Sequence, residues 1–264
     1  MKRGLEAAAA AFQFLSRFPV KSGGDFSPEL LQRSTVYYPL VGLAIAAVVW
    51  PAAYLSALLL PPFPAAVLVL MLWVWLTGGL HLDGWMDSAD ALLSYRSRER
   101  MLEIMKDSRV GAMGVIACVL LLLLKVSLIY TVIDEKLWST ALLLPLLWSR
   151  WFMVAALSRW PKARQGEGLA GQFQTLKGRE AGLAALLAAM LSVLLALLNP
   201  VVLMSPFIAA FLVVPVLSWI IGKWTAQRIS RRLGGLTGDV YGALNELLEA
   251  LLLLAVVLLH RLLL

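Results

Sequence analysis

The sequence predicts an all-α fold, a polytopic bundle of about seven transmembrane helices preceded by an N-terminal interfacial helix. Three observations predict it. The 264 residues are 61% hydrophobic with a mean hydropathy of +0.82, whereas a soluble domain is near half apolar. Apolar runs of about 20 residues, long enough to cross a hydrocarbon core, recur along the chain. The basic residues concentrate in alternate loops between these runs. A helix pairs its own backbone groups in lipid, and no segment has the alternating pattern of a membrane barrel. The net charge of +7 lies between apolar runs, where it sets topology, and so does not argue for nucleic acid. Cys118, the single cysteine, excludes an internal disulfide and a thiolate metal site. Met1–Val20 does not read as a cleavable signal peptide, because Arg17 follows its Ala-rich part.

In order, residues 1–34 read as an amphipathic helix followed by a polar loop. Leu5, Ala8, Phe12, Leu15 and Phe18 recur at helical spacing, and Pro19, Gly23 and Gly24 break the pattern. The first span is expected at Thr35–Leu60, closed by Pro61-Pro62-Phe63-Pro64, and the second at Ala65–Leu80, where Gly78-Gly79 ends or bends it. The third follows at Val110–Ile133, the fourth at Leu137–Leu157 and the fifth at Ala181–Leu198. The sixth is expected at Val201–Ile221 and the seventh at Glu246–Leu264, with Lys223–Asn245 as a charged loop. The chain reads as one domain, 1–264. Lys and Arg residues crowd the N-terminal region and the loops after spans two, four and six, while the alternate loops hold only Lys136 and the C-terminal tail Arg261. This pattern puts the N-terminus and every candidate motif on the cytoplasmic side.

The chemistry centres on His81-Leu82-Asp83-Gly84-Trp85-Met86-Asp87-Ser88-Ala89-Asp90. On a helix, Asp83, Asp87 and Asp90 fall within an arc of roughly 60° over roughly 10 Å. Such like charges beside a membrane-type run need neutralising, and Mg²⁺ commonly binds carboxylates together with substrate phosphates. The other reading is a solvated acidic face. Lys106-Asp107-Ser108-Arg109 adds an acid and two cations before span three. Asp107 can complete a metal shell or orient a nucleophile, and Arg109 can clamp a phosphate, while topology or lipid headgroups account for Lys106 and Arg109 equally well. Gly234-Gly235-Leu236-Thr237-Gly238-Asp239 carries glycines, Gly238 among them, that let backbone approach an anion. Asp239, Glu246 and Glu249 share a helical face if the helix starts by Asp239, and this face can meet the first acidic face across the bundle. The loop Pro161–Leu169, with Arg164, can cover phosphates or merely connect. Lys125, central in its span, needs a partner, whereas Arg150 can snorkel. His81 can be a base or a ligand, although a structural role is commoner. The residues alone thus point to Mg²⁺-assisted phosphoryl chemistry at a membrane face.

Three blocks carry a resemblance: Gly78-Gly79-Leu80-His81-Leu82-Asp83-Gly84…Asp87…Asp90, Arg98–Gly111, and Gly235-Leu236-Thr237-Gly238-Asp239…Gly242-Ala243…Glu246…Glu249. With the weaker Phe14–Pro19 and Tyr38–Gly42 they resemble the cobalamin synthase family of adenosylcobinamide-GDP ribazoletransferases. The resemblance implies an integral enzyme of a bacterial or archaeal cytoplasmic membrane that uses Mg²⁺. It implies joining adenosylcobinamide-GDP to α-ribazole or α-ribazole 5′-phosphate with release of GMP. On that footing Asp83, Asp87, Asp90 and Asp239 hold the metal and diphosphate, Asp107 or Glu246 takes the hydroxyl proton, and Lys106, Arg109, Arg164 and Gly238 contact phosphates. Arg164-Gln165-Gly166-Glu167-Gly168 departs from the family pattern by an extra residue. The Asp83-Gly84…Asp87…Asp90 run is also similar in part to CDP-alcohol phosphotransferases, which makes a lipid-headgroup transferase the first alternative. The second is a transporter using Lys125, Arg150 and the carboxylates, which requires acids near the middle of the bilayer.

Overall fold

Apolar surroundings force backbone polar groups to pair within their own segment, and this chain is helical nearly throughout. The computed structural model describes residues 2–21, 27–164, 173, 176, 178–199 and 206–263. The helices are α1 (Lys2–Leu15), α2 (Pro28–Ser34), α3 (Tyr38–Leu59), α4 (Pro62–Thr77), α5 (Leu80–Leu92), α6 (Arg98–Ile104), α7 (Ala112–Asp134), α8 (Trp138–Arg159), α9 (Gly178–Leu197), α10 (Ala210–Leu233) and α11 (Gly238–Leu263). Among the described residues, six helical segments are long and apolar enough to cross a membrane: α2 with α3, α7, α8, α9, α10 and α11. A seventh crossing arises if α4 and α5 count as one broken span. The all-α bundle is as expected. The expected Gly23-Gly24 break, the Gln165–Gly168 departure and the expected start of span six at Val201 lie outside the described residues.

Burial separates the helices into a centre and a shell. In the apolar windows of α8 and α11, 83% and 67% of residues are buried, against 28–33% for the other long helices. Helix α8 packs against α3, α9, α10 and α11, and α11 also packs against α5. Small residues permit the closest crossings. A Cβ on Gly42 of α3 would strike the Leu146 carbonyl of α8, and one on Gly222 of α10 would lie 2.5 Å from the Phe152 ring. Close approach through small residues is how helices associate in lipid, where apolar side chains gain little by leaving the acyl chains.

Three boundaries differ from the sequence expectation, each for a packing reason. The expected polar loop up to residue 34 contains α2, capped where Ser27 Oγ accepts from Leu30 N at 3.2 Å. Helix α10 runs on through the expected loop to Leu233. Its buried stripe Ala210, Val214, Ser218, Gly222, Ala226 repeats every four residues, while Lys223, Arg228, Arg231 and Arg232 face outward. Helix α11 begins at Gly238 rather than Glu246, with Thr237 Oγ1 accepting from Val240 N at 3.3 Å. In α1 the packed stripe is Ala7, Ala10, Ala11 and Leu15, whereas Leu5 is 67% exposed. The predicted apolar face is therefore rotated, because alanines let α1 sit close to α2 and α3.

Candidate active site

The α4–α5 corner sets up the site. Gly78 and Gly79 have φ of 69° and 75°, a conformation that costs other residues energy, and together they turn α5 by 91° from α4. Helix α5 thus turns away from the line of α4 and lays its His81 and Gly84 face against the start of α11, with Asp83 beside the contact. Gly84 makes that contact possible, since a Cβ there would sit 2.6 Å from the Asp239 carbonyl oxygen. Gly242 does the same one turn on, facing the His81 backbone at 3.2 Å.

Next to this crossing lies a cavity of about 220 Å³. Asp83, His81 and Gly84 of α5 line it, with Thr237, Gly238, Asp239 and Tyr241 at the start of α11. Arg164 reaches it from the segment after α8. That segment is clamped to α11 by Leu236 N donating to Pro161 O at 2.8 Å and Ala163 N donating to Leu236 O at 3.0 Å. Arg164 Nη2 donates to Leu102 O at 2.6 Å, tying the α6 region to the same rim. Gly238 has open space where a Cβ would stand, so its backbone faces the cavity unshielded.

The candidate carboxylates divide by surroundings. Asp83 is exposed and Asp239 half-buried, and both line the cavity. Asp87 is half-buried beside them. Burial, then the charges of Asp83, Asp239 and Asp90, push its carboxyl up to about 6. Asp90 is engaged elsewhere. Its two oxygens accept from Gly111 N and Gly114 N, both at 2.7 Å, and so hold the start of α7. Asp107 pairs with Arg109 at 2.7 Å, and the Arg109 hydrogen bonds hold Asp107 down at about 2. Asp107, Arg109 and Lys106 are not among the residues lining the cavity.

Glu246 and Glu249 do not join Asp239, although they share its helix face. They lie deeper along α11, in a buried ionic cluster with cations of two neighbouring helices. Lys125 of α7 contacts Glu246 at 2.5 Å and also Glu249, and its ammonium stands 4.9 Å from the Trp73 ring centre. Arg150 of α8 pairs with Glu249. Rather than snorkelling it is fully buried. Asn245 Nδ2 donates to Glu249 Oε1 at 3.2 Å and to His81 Nδ1 at 3.0 Å. The donor on Nδ1 leaves the His81 proton on Nε2. Two cations face two anions, so the cluster is neutral overall and joins three helices through the core.

Among the described residues no group of three His, Cys, Asp or Glu side chains is gathered closely enough to hold a metal by itself. A Mg²⁺ ion needs less, because it keeps waters and shares one or two carboxylates with substrate phosphates. Asp83 and Asp239, which border the cavity, and Asp87 beside them are the carboxylates that would share such an ion with a substrate phosphate. Their mutual repulsion at Asp87 and the glycine-cleared contact at Gly84 are the features a divalent cation would exploit.

Spacing arguments missed several cavity residues: Phe14, Leu15, Tyr38, Met153, Leu157, Phe173, Thr237 and Tyr241. They come from widely separated parts of the chain and carry no charge pattern. The blocks Phe14–Pro19 and Tyr38–Gly42 are the signals for Phe14, Leu15 and Tyr38, and the glycine-rich run before Asp239 contains Thr237.

A family model described as Cobalamin-5-phosphate synthase matches residues 7–257. The chain is 35% identical to a Brevibacillus brevis protein over 96% of this chain and 98% of that one. It is 40% identical to a Desulfitobacterium hafniense protein, over 92% and 93% of the two chains. It is likewise 40% identical to a Pseudomonas fluorescens protein, over 94% and 97%. Each relative is named adenosylcobinamide-GDP ribazoletransferase. No solved structure matches.

Proposed function

Because the chain belongs to the cobalamin-5-phosphate synthase family, we propose that it joins adenosylcobinamide-GDP to α-ribazole, a benzimidazole riboside, or to its 5′-phosphate, and releases GMP. A ribose hydroxyl of the ribazole attacks the phosphorus on the cobinamide arm. The new P–O bond forms as the bond to the GMP oxygen breaks, and the hydroxyl proton passes to a carboxylate. The observation that carries this reading is the meeting of α5 and α11, where Asp83 and Asp239 border one cavity with Arg164 and the open backbone of Gly238.

Asp83, Asp87 and Asp239 would hold Mg²⁺, which when bound offsets charge on the diphosphate and on the departing phosphate. Arg164 orients a phosphate, and the Gly238 backbone lets an anion approach the α11 N-terminus, where helix N–H groups favour negative charge. Mg²⁺ needs only one or two of these carboxylates, and whichever of Asp83 and Asp239 is left off the metal borders the cavity and takes the hydroxyl proton. Asp107, held acidic by Arg109, and Glu246, paired with Lys125, are poorly suited to that step. The basic loops support an active site on the cytoplasmic face of a cytoplasmic membrane.

The test is a purified-protein assay in lipid vesicles containing adenosylcobinamide-GDP, α-ribazole 5′-phosphate and Mg²⁺. GMP and a new corrinoid product are expected to rise together and to stop with EDTA. Folded protein that gives neither product would overturn the proposal, and CDP-activated lipids would then be the substrates to try.

A further inference from the structure

The cavity has two chemically different ends. Asp83, at its rim, is exposed, whereas Tyr38, Leu157 and Tyr241 are 0%, 4% and 5% exposed. The exposed carboxylate of Asp83 therefore stands where the cavity opens, and the Tyr38 and Tyr241 rings are closed off from solvent. The deep wall is aromatic. The Phe14 ring of α1 lies nearly parallel to Tyr38, 24° between planes and 6.3 Å between centres, and Phe173 leans on Phe14 at 6.4 Å. Met153 and Leu157 of α8 line the cavity as well. The Tyr241 hydroxyl is buried with no hydrogen-bond partner in the protein. Buried hydroxyls are rarely left unpaired, and this one belongs to a residue that lines the cavity.

We propose that this deep end seats the flat heteroaromatic base of the ribazole substrate, between the Phe14 wall and the α8 side chains, with the Tyr241 hydroxyl donating to the free ring nitrogen. The assignment rests on the function proposed above and names which part of which substrate enters. A benzimidazole has an apolar carbocyclic edge and one unsubstituted ring nitrogen, which matches the apolar side chains of the wall and the Tyr241 hydroxyl. Like two other buried lining groups, the Tyr38 hydroxyl and His81 Nε2, that hydroxyl has no hydrogen-bond partner among the described residues. Placing the base in the depth leaves the ribose hydroxyls near the rim, beside Asp83 and Asp239, where the diphosphate would lie.

The experiment compares wild type, Tyr241→Phe and Phe14→Leu. Dissociation constants for α-ribazole and for GMP are measured separately by calorimetry in detergent, and KM for each substrate in vesicles. Tyr241→Phe removes only an oxygen and should weaken α-ribazole roughly 2- to 10-fold. Phe14→Leu should weaken it roughly 5-fold or more, the scale of a lost ring–base contact. GMP affinity and the KM for adenosylcobinamide-GDP should stay unchanged in both. Weakening of GMP instead would put guanine in the seat and overturn the assignment. Wild-type α-ribazole binding that neither substitution alters would also overturn it, with the functional reading intact. Wild-type protein that binds neither ligand would sink the functional reading itself.

Discussion

At the residue scale, identical carboxylates do different work because of what surrounds them. Asp83 has solvent and a cavity in front of it. Asp83→Asn should abolish turnover while leaving membrane insertion and unfolding temperature near wild type. Activity close to normal would remove Asp83 from the metal site. Asp90 should behave in the opposite way. It satisfies two orphan N–H groups at the start of α7, as an N-cap side chain does, so Asp90→Ala should cost about 1–2 kcal/mol of stability. The check is thermal unfolding in detergent, with Asp90→Asn, which keeps one acceptor, as the milder comparison. Lys125 is a third case. Its two glutamate partners are buried, and removing one member of such a cluster typically costs about 3–5 kcal/mol because it leaves an unpaired charge. Lys125→Met should lower the unfolding midpoint strongly, and adding Glu246→Gln should recover part of the loss by restoring neutrality. An unchanged midpoint for Lys125→Met would mean that the cluster contributes nothing to stability. The local sequence showed that Lys125 needs a partner. It could not show that the partners are acids otherwise expected at the active site.

At the scale of elements, the decisive contact is the crossing of α5 and α11. A methyl on Gly84 would meet Asp239 backbone, which cannot swing away as a side chain can. Gly84→Ala should therefore push the two acidic helix starts apart while each helix remains formed. Displacements near 1 Å at a reacting centre can cost roughly 100-fold in rate. We expect a fall of that order in kcat/KM with unchanged helix content by circular dichroism. Full activity in this variant would show that the crossing does not position the acids. Helix spacing made the α5 acidic face legible, since Asp83, Asp87 and Asp90 lie within one arc. It could not tell that one end of that arc is spent on capping α7, because the capping groups lie more than 20 residues downstream.

At the scale of the whole molecule, two measurements bear on membrane placement and metal binding. If the basic loops face the cytoplasm, a cysteine replacing Arg96 should resist a membrane-impermeant maleimide in intact cells, whereas one replacing Asp134 should react. Both would be made with Cys118 replaced by Ala, and labelling in the reverse order would invert the topology. A ligand that binds only the folded state stabilises it by mass action. Added Mg²⁺ should thus raise the unfolding temperature of wild type, and much less that of Asp83→Asn or Asp239→Asn. Equal shifts in all three would place the cation elsewhere.

The sequence alone determined the all-α architecture, nearly every apolar helix, a break at Gly78-Gly79 and the family. Hydropathy, helical period and glycine conformation act over a few residues and can be read locally. It also singled out Asp83, Asp239, Gly238 and Arg164, four residues that the fold gathers around one cavity. Only the tertiary structure separated Asp239 from Glu246 and Glu249, because their roles depend on Lys125 and Arg150 from two other helices. Only the tertiary structure supplied the aromatic depth of the cavity, since Phe14, Tyr38, Phe173 and Tyr241 are scattered along the chain. A helix period fixes which face a residue occupies, but the helix packed opposite fixes what that face meets.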